Sequence, residues 1–199
     1  MRTQGFTLIE LMVTMSLVSI IMLVVMFSYS KFSDRLSLKS ATQEIAVTIR
    51  QAQSYGLNVR EAAAGGGQFA SAYGIFIDPT NDPTHYTVFV DAFANKTYDV
   101  GAGSCGTSTT ECVEKDAVRN GVQISKICDS SGACSINSSK KNVNITFLRP
   151  NPDADINFTN AAGTIVGGGS EDSVAITLTS PQGDTATVTV DRTGQISVQ

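Results

Sequence analysis

Apolar side chains dominate the first part of the chain. Between Phe6 and Phe27, 17 of 22 residues are apolar, and Glu10 is the single charged residue. About 20 apolar residues in a helix span the hydrocarbon core of a bilayer. The pattern therefore predicts a membrane segment with one carboxylate near its start, a position where a charge is costly and by default indicates a functional site.

After Phe27 the pattern becomes amphipathic. Apolar residues recur at spacings of three, four or seven and form one helical stripe, made of Leu38, Ala41, Ile45, Ile49, Ala52 and Val59. From Phe6 to Val59 there is no proline and no glycine except Gly56, so nothing breaks a helix. We expect one continuous helix of roughly 80 Å, whose second half packs its apolar stripe on a sheet.

The remainder of the chain has the alternation of β-strands. Residues 61–70 end the helix in a glycine-containing loop, and strands are predicted at 73–78, 85–91, 121–127, 143–148, 154–158, 174–179, 186–190 and 195–198. The first two strands form a hairpin with a connection of five or six residues, and the last three form a meander. Stretches 94–119 and 163–172 are expected to be irregular. The fold class is therefore α+β, with a long N-terminal helix packed on an antiparallel sheet.

The order of features at the N-terminus differs from that of a secretory signal peptide. In a secretory signal the small-residue cleavage site follows the apolar core. Here Gly5 precedes the core, and no A-x-A-like site follows Met26. The leader of residues 1–5 has one positive charge, which favours the cytoplasmic side.

The segment Gly5-Phe6-Thr7-Leu8-Ile9-Glu10 resembles the class III signal of type IV pilins and pseudopilins. The resemblance implies that a prepilin peptidase cleaves after Gly5 and then methylates the new amine of Phe6. It implies that Glu10 is retained for assembly. The partners implied are that peptidase, other pilin or pseudopilin subunits, an inner-membrane assembly platform, and membrane lipid before assembly.

The same resemblance suggests how the chain is divided. It implies a leader at 1–5, a transmembrane and filament-core half-helix at 6–30, an amphipathic half-helix at 31–60 and a β-rich head at 61–199, outside the cytoplasm. The helix at 41–54 and the C-terminal meander with its Thr-Gly turn are similar to GspH/FimT-like minor pseudopilins. The chain lacks the Gly/Pro pair that breaks the membrane half of many major pilins.

The four cysteines all follow the membrane segment, at Cys105, Cys112, Cys128 and Cys134. An even number outside the cytoplasm favours disulfides, for which three pairings exist. The pairing of Cys105 with Cys112 and of Cys128 with Cys134 requires least of the fold. A zinc site is not favoured, because the close CxxC pairs are missing and no histidine lies near.

Charge argues against nucleic acid as a partner. The net charge is −4, and removal of the leader with its single arginine makes it more negative by one. From Pro150 to the C-terminus Arg192 is the single basic residue, whereas phosphate contacts require Lys or Arg. The local basic cluster, Lys140 and Lys141 with Arg149, is interpreted as a solvated loop.

Catalytic and metal-binding motifs are also not supported. His85 is the single histidine and lies in a strand pattern, and no G-x-S-x-G motif is present. The stretch from Asp153 to Asn157 begins like an EF-hand loop, but Phe158 and Thr164 occupy its sixth and twelfth positions. We therefore expect a structural subunit without catalytic residues, metal or cofactor; the alternative is a membrane-anchored extracellular binding domain that is adhesive or takes up DNA.

Overall fold

A computed structural model describes residues 5–58, 72–99 and 104–199 of the chain. It begins with one unbroken α-helix of 50 residues, Leu8–Leu57 (α1). Thr7 caps the N-terminus with extended backbone, and Asn58 closes the C-terminus by donating its backbone N–H to the carbonyl of Ser54. The prediction of a single long helix is confirmed; its expected last apolar position, Val59, lies outside the described residues.

In the described part of the chain, ten strands follow the helix in two antiparallel sheets. They are Ala72–Ile77 (β1), His85–Asp91 (β2), Cys112–Ala117 (β3), Gln123–Asp129 (β4), Asn142–Phe147 (β5), Ala154–Thr159 (β6), Ile165–Val166 (β7), Ser173–Thr179 (β8), Thr185–Asp191 (β9) and Ile196–Val198 (β10). The six-stranded sheet has the order β3-β2-β1-β5-β6-β7, and the four-stranded sheet has the order β10-β9-β8-β4. The predicted α+β class is confirmed.

The second half of α1 and both sheets share one hydrophobic core. The helix contacts β1 and β5 of the larger sheet and β8, β9 and β10 of the smaller sheet. Ile45, Ile49 and Ala52 of the predicted stripe have no solvent exposure. Their neighbours in the core include Ile145 of β5 and Ile176 of β8. The predicted meander is therefore one of two surfaces that cover the stripe.

The outer face of the six-stranded sheet is polar but largely buried. Across the β5–β6 pair, Asn142 lies opposite Thr159, Asn144 opposite Asn157, and Thr146 opposite Asp155. All of these except Asp155 are at most 6% exposed. The segment 92–99 covers part of this face, because the backbone N–H of Tyr98 donates to Asn144 Oδ1 at 2.9 Å. Buried polar side chains of this kind need partners, which makes the face chemically specific.

Two strands arise where the sequence predicted irregular structure. Cys112–Ala117 (β3) pairs with β2, and Ile165–Val166 (β7) pairs with β6. Both lie at sheet edges. An edge strand needs no apolar alternation and is often charged, as Glu114 and Lys115 are in β3, so the period-2 signal was missing. The β1–β2 connection, at 78–84, is also longer than expected.

Two disulfides and a buried carboxylate organise the middle of the chain. Cys105 is bonded to Cys112 and Cys128 to Cys134, the two most local partners. Next to the first disulfide, Glu111 is 2% exposed. Its carboxylate accepts the backbone N–H groups of Ala92, Phe93 and Asp99. Burial raises the pKa of Glu111 above its ordinary value, although these hydrogen bonds oppose the shift.

Candidate site for processing and assembly

Gly5 and Phe6 lie before the first turn of α1 and are open to an enzyme. Among the described residues, no atom apart from its own chain neighbours lies within 4 Å of the position that a Cβ on Gly5 would take. The side chain of Phe6 is 75% exposed. Thr7 follows with φ −80° and ψ 149°, which is extended backbone. A protease that binds its substrate as an extended segment therefore finds the Gly5–Phe6 bond outside the helix.

Glu10 lies in the first turn of α1. Its backbone N–H points to Oγ1 of Thr7 at 3.4 Å, so the threonine hydroxyl caps the turn that presents the glutamate. The positive end of the helix dipole favours a carboxylate here. In the described part of the chain no basic side chain is paired with Glu10. The carboxylate is therefore available to a cation from another molecule.

The apolar run projects from the head as an uncovered helix. Every described side chain from Gly5 to Ser33 is exposed, and the large apolar ones between Phe6 and Met26 are 51–78% exposed. Residues of this helix are apolar over a length that can cross a membrane. Such a surface is unstable in water, so it requires lipid or other protein around it.

The few polar side chains of the run are satisfied within the helix. The hydroxyls of Thr14, Ser16 and Ser19 donate to backbone carbonyls three or four residues earlier, at 2.8–3.0 Å. A hydroxyl that bonds its own helix exposes no unpaired donor to an apolar environment. Glu10 is the one charged side chain in the described segment from Gly5 to Met26, and this segment contains no side chain of opposite charge to pair with it.

The second half of α1 is fixed to the head by polar contacts around the C-terminal turn. Gln53 Nε2 donates to the carbonyl oxygens of Pro152 at 2.9 Å and Gly194 at 3.2 Å. Gly194 has φ +80°, and a Cβ there would lie 2.2 Å from Pro152 O. Glycine is thus required in this Thr-Gly turn by both backbone conformation and space. The helix direction is set by the head.

A close approach of helix to sheet occurs at Gly56. A Cβ built on Gly56 would lie 2.3 Å from the carbonyl oxygen of Phe147 in β5. Any side chain at this position would push the end of α1 away from the sheet. The one glycine that the sequence placed inside the helical pattern therefore has a packing reason.

Other candidate residues of the sequence lie apart from this site. The Nδ1 atom of His85 is 2.7 Å from Asp82 Oδ1, and Lys115 Nζ is 2.7 Å from the other oxygen of Asp82. Asp155 pairs with Lys96 at 2.5 Å and accepts a hydrogen bond from Asn157. Within residues 5–58, 72–99 and 104–199 no cluster of three or more His, Cys, Asp or Glu could hold a metal.

The interpretation of Lys140 as part of a solvated loop is wrong. Its side chain is 14% exposed, and its ammonium group pairs with both Asp129 and Glu171. The ammonium also lies 5.1 Å from the ring centroid of Phe158. Lys140 is 11 residues from Asp129 and 31 from Glu171 along the chain, so no local sequence pattern could reveal the cluster.

The ion cluster shifts the ionisation of its members. Burial opposes the charge on Asp129, but hydrogen bonds from Lys140, Ser131 and Ala133 outweigh it and lower the pKa of Asp129 from 3.8 to about 2. Burial likewise opposes the charge on Lys140, and the two carboxylates outweigh it and raise the pKa of the ammonium group. The cluster joins the Cys128–Cys134 loop to the segment before β8.

Comparison with known proteins identifies the N-terminal signal. Residues 1–26 match the prokaryotic N-terminal methylation motif, which is the class III signal peptide of type IV pilins. No curated protein sequence and no solved structure shows significant similarity to the chain.

The chain is thus one that carries a pilin-type processing signal on a pilin-like α+β layout. The motif implies processing by a prepilin peptidase and assembly with other pilins. Together with the uncovered apolar helix it fits a single-pass membrane anchor. A head with two disulfides also fits this class.

Proposed function

We propose that this protein is a structural subunit of a type IV pilus or of a type II secretion-type pseudopilus. In this proposal the leader of residues 1–5 is removed after Gly5, Phe6 receives a methyl group on its amine, and the mature chain waits in the inner membrane with its head outside the cytoplasm. Subunits then leave the lipid and pack their N-terminal helices against each other in a filament.

The observation that carries the proposal is the contrast along α1. The apolar run of this continuous helix ends at Phe27, its described side chains are exposed up to Ser33, and its apolar stripe is buried in the head from Leu38 onward. The first part cannot fold back on the head, because the same helix is already fixed there by Gln53 and Gly56. Its apolar surface must be covered from outside, by lipid first and by neighbouring helices later.

Glu10 would set the position of one subunit against the next. An unpaired carboxylate in an apolar helix bundle needs a cation. Cleavage after Gly5 creates one, the amine of Phe6, on every subunit. We propose that Glu10 of one subunit pairs with the Phe6 amine of a neighbour, which fixes the axial stagger of the two helices.

The unbroken helix also distinguishes this subunit from the major pilins that carry a Gly/Pro pair in the membrane half. The described residues of α1 continue from Leu8 to Leu57 without a glycine or proline break in the apolar half. We infer that packing in the filament leaves that half helical. The C-terminal meander with its Thr-Gly turn supports a minor subunit of the GspH/FimT-like kind, a pattern that does not account for the cysteine-bearing middle.

The test of the assembly contact is Glu10→Ala, with Glu44→Ala in the head half of α1 as the matched control. We expect Glu10→Ala to be cleaved and to accumulate in the membrane, while its amount in sheared filaments falls at least tenfold, roughly 1.4 kcal/mol of lost association per contact. Glu44→Ala should enter filaments normally. Normal incorporation of an abundant, processed Glu10→Ala chain would refute the role of Glu10.

A further inference from the structure

A groove of about 410 Å³ opens on the outer face of the six-stranded sheet, on the side opposite the core. It is lined by two aromatic rings, two carboxylates, carboxamides and hydroxyls, among them Phe76, Tyr98, Asp78, Asp99, Asn142 and Thr159. The groove lies entirely in the head, away from the exposed half of α1. A role for it therefore goes beyond the proposed function and does not depend on it.

Phe76 and Tyr98 form an apolar wall of the groove. Their ring centroids are 5.2 Å apart with an angle of 42° between the planes. Both side chains are half-buried, and the backbone of Tyr98 is held by Asn144. Aromatic rings fixed in this way offer a flat apolar surface beside polar groups. A ligand with an apolar face and a polar edge would fit it.

The Oδ2 atom of each carboxylate keeps capacity to accept hydrogen bonds. Asp99 accepts one through Oδ2, from the amide of Asn95 at 2.7 Å. Asp78 Oδ1 accepts the backbone N–H groups of Thr80 and Asn81, and Asp78 Oδ2 accepts one hydrogen bond, from the amide of Asn81 at 2.8 Å. An ionised carboxylate can accept about four hydrogen bonds. The Oδ2 atoms of Asp78 and Asp99, with one hydrogen bond each, can therefore take a hydroxyl donor from a bound molecule.

Thr159 contributes an independent observation that points to a ligand. The residue is 1% exposed and lines the groove. Its Oγ1 atom is buried without a hydrogen-bond partner among the described residues. A buried hydroxyl in this state loses its bonds to water without compensation. A ligand hydroxyl at the base of the groove would restore them.

Charge limits the class of ligand. The described lining residues include two carboxylates and no Lys or Arg, so phosphate and other anions are repelled. A divalent cation would use the carboxylates but neither the aromatic wall nor the hydroxyl of Thr159. We propose that the groove binds a neutral saccharide unit, with a face of its ring on Phe76 and Tyr98 and its hydroxyls on Asp78, Asp99 and Thr159.

The test is a titration of the full chain in phosphocholine micelles, followed by ¹H–¹⁵N spectra. A maltoside detergent is avoided because it would itself supply sugar. The probes are glucose, galactose, mannose and N-acetylglucosamine, each added to millimolar concentrations, and calcium chloride separately. We expect at least one sugar to shift the amides of Tyr98, Asn142 and Thr159 in a saturable manner.

Two matched variants separate binding from stability. Thr159→Val removes the unpaired hydroxyl at nearly constant volume and should weaken the sugar roughly tenfold, with a spectrum that remains folded. Thr146 of β5 lies on the same face of the sheet as Thr159 of β6 but lines a neighbouring groove. Thr146→Val should therefore leave the affinity unchanged. Saturable shifts by calcium chloride alone, no shift with any of the four sugars, or equal binding by Thr159→Val would each overturn the proposal.

Discussion

The exposed half of α1 and the head differ in how the apolar side chains of the helix are covered. Both contain a helix rich in apolar residues, yet Ile21 is 61% exposed and Ile45 is fully buried. In the head, two sheets cover the helix stripe and fix it through Gln53. In the exposed half nothing within the described chain covers it. Composition alone therefore does not determine where apolar surface is buried. Burial depends on which other segments of the chain pack against that surface.

The two regions also treat charge differently. The head buries Lys140 between two carboxylates that belong to the same chain. The exposed half carries Glu10 with no basic side chain paired to it in the described chain. The head should therefore be stable by itself as a unit, while the exposed half depends on molecules around it. Substitutions in the two regions should have different consequences.

The largest effect is expected for Lys140→Met in the head. Removal of the ammonium leaves Asp129 and Glu171 buried or half-buried without their cation, which should cost about 3–5 kcal/mol of unfolding free energy. Denaturant unfolding of the full chain in micelles at pH 7 measures it. Lys141→Met is the control, because Lys141 Nζ donates to the backbone oxygen of Ser135 and its loss should cost about 1 kcal/mol.

The same variant should reveal a pH dependence. The lowered pKa of Asp129 contributes stability above its ordinary pKa of 3.8, and this contribution is lost as the pH falls toward about 2. A shift of this size corresponds to roughly 2 kcal/mol. The stability difference between the native chain and Lys140→Met should therefore narrow between about pH 4 and about pH 2. A difference that stays constant over that interval would contradict the ion cluster.

A matched pair of isoleucines compares the two halves of α1 directly. Ile45→Ala should lower the unfolding free energy of the head by about 2–5 kcal/mol, because it leaves a cavity in the shared core. Ile21→Ala changes an exposed side chain of the same helix and should lower it by less than about 0.5 kcal/mol. Unfolding monitored by near-ultraviolet circular dichroism in micelles measures both. Equal effects of the two changes would remove the distinction between the halves.

The smallest of these effects is expected at the contact between the end of α1 and β5. Gly56→Ala places a Cβ against the carbonyl of Phe147 and should cost about 1–3 kcal/mol through overpacking, despite the better helix propensity of alanine. Ser40→Ala, on the exposed side of the same half, is the control and should be neutral or slightly stabilising. A stabilised Gly56→Ala chain would show that the helix end can move freely.

The sequence predicted the parts of the molecule that depend on local periodicity. The helix, the core strands and the C-terminal meander follow from spacings of 3.6 and 2 residues, and the structure confirms them. Edge strand β3 was not predicted, because it contains several charged residues and lacks the alternation of apolar and polar residues. The predicted cleavage and assembly residues, Gly5, Phe6 and Glu10, depend on one short motif, which is why they could be named before any geometry.

Contacts between distant segments could not be predicted. The Lys140 cluster and the groove at Thr159 each bring together residues from several loops and strands. Their members carry no shared spacing in the sequence. The topology of the six-stranded sheet, which places β5 between β1 and β6, creates the groove. Such a cluster of distant residues can be identified only from the three-dimensional structure.

The mass of the mature N-terminal peptide tests the central claim most directly. The chain is expressed in cells that contain a prepilin peptidase, purified from membranes and digested, and its N-terminal peptide is sequenced by mass spectrometry. The account predicts a chain that begins at Phe6 and carries one methyl group on its amine. A chain that retains Met1, or one cut after the apolar run, would contradict the assignment of Gly5 and Phe6 as the processing site.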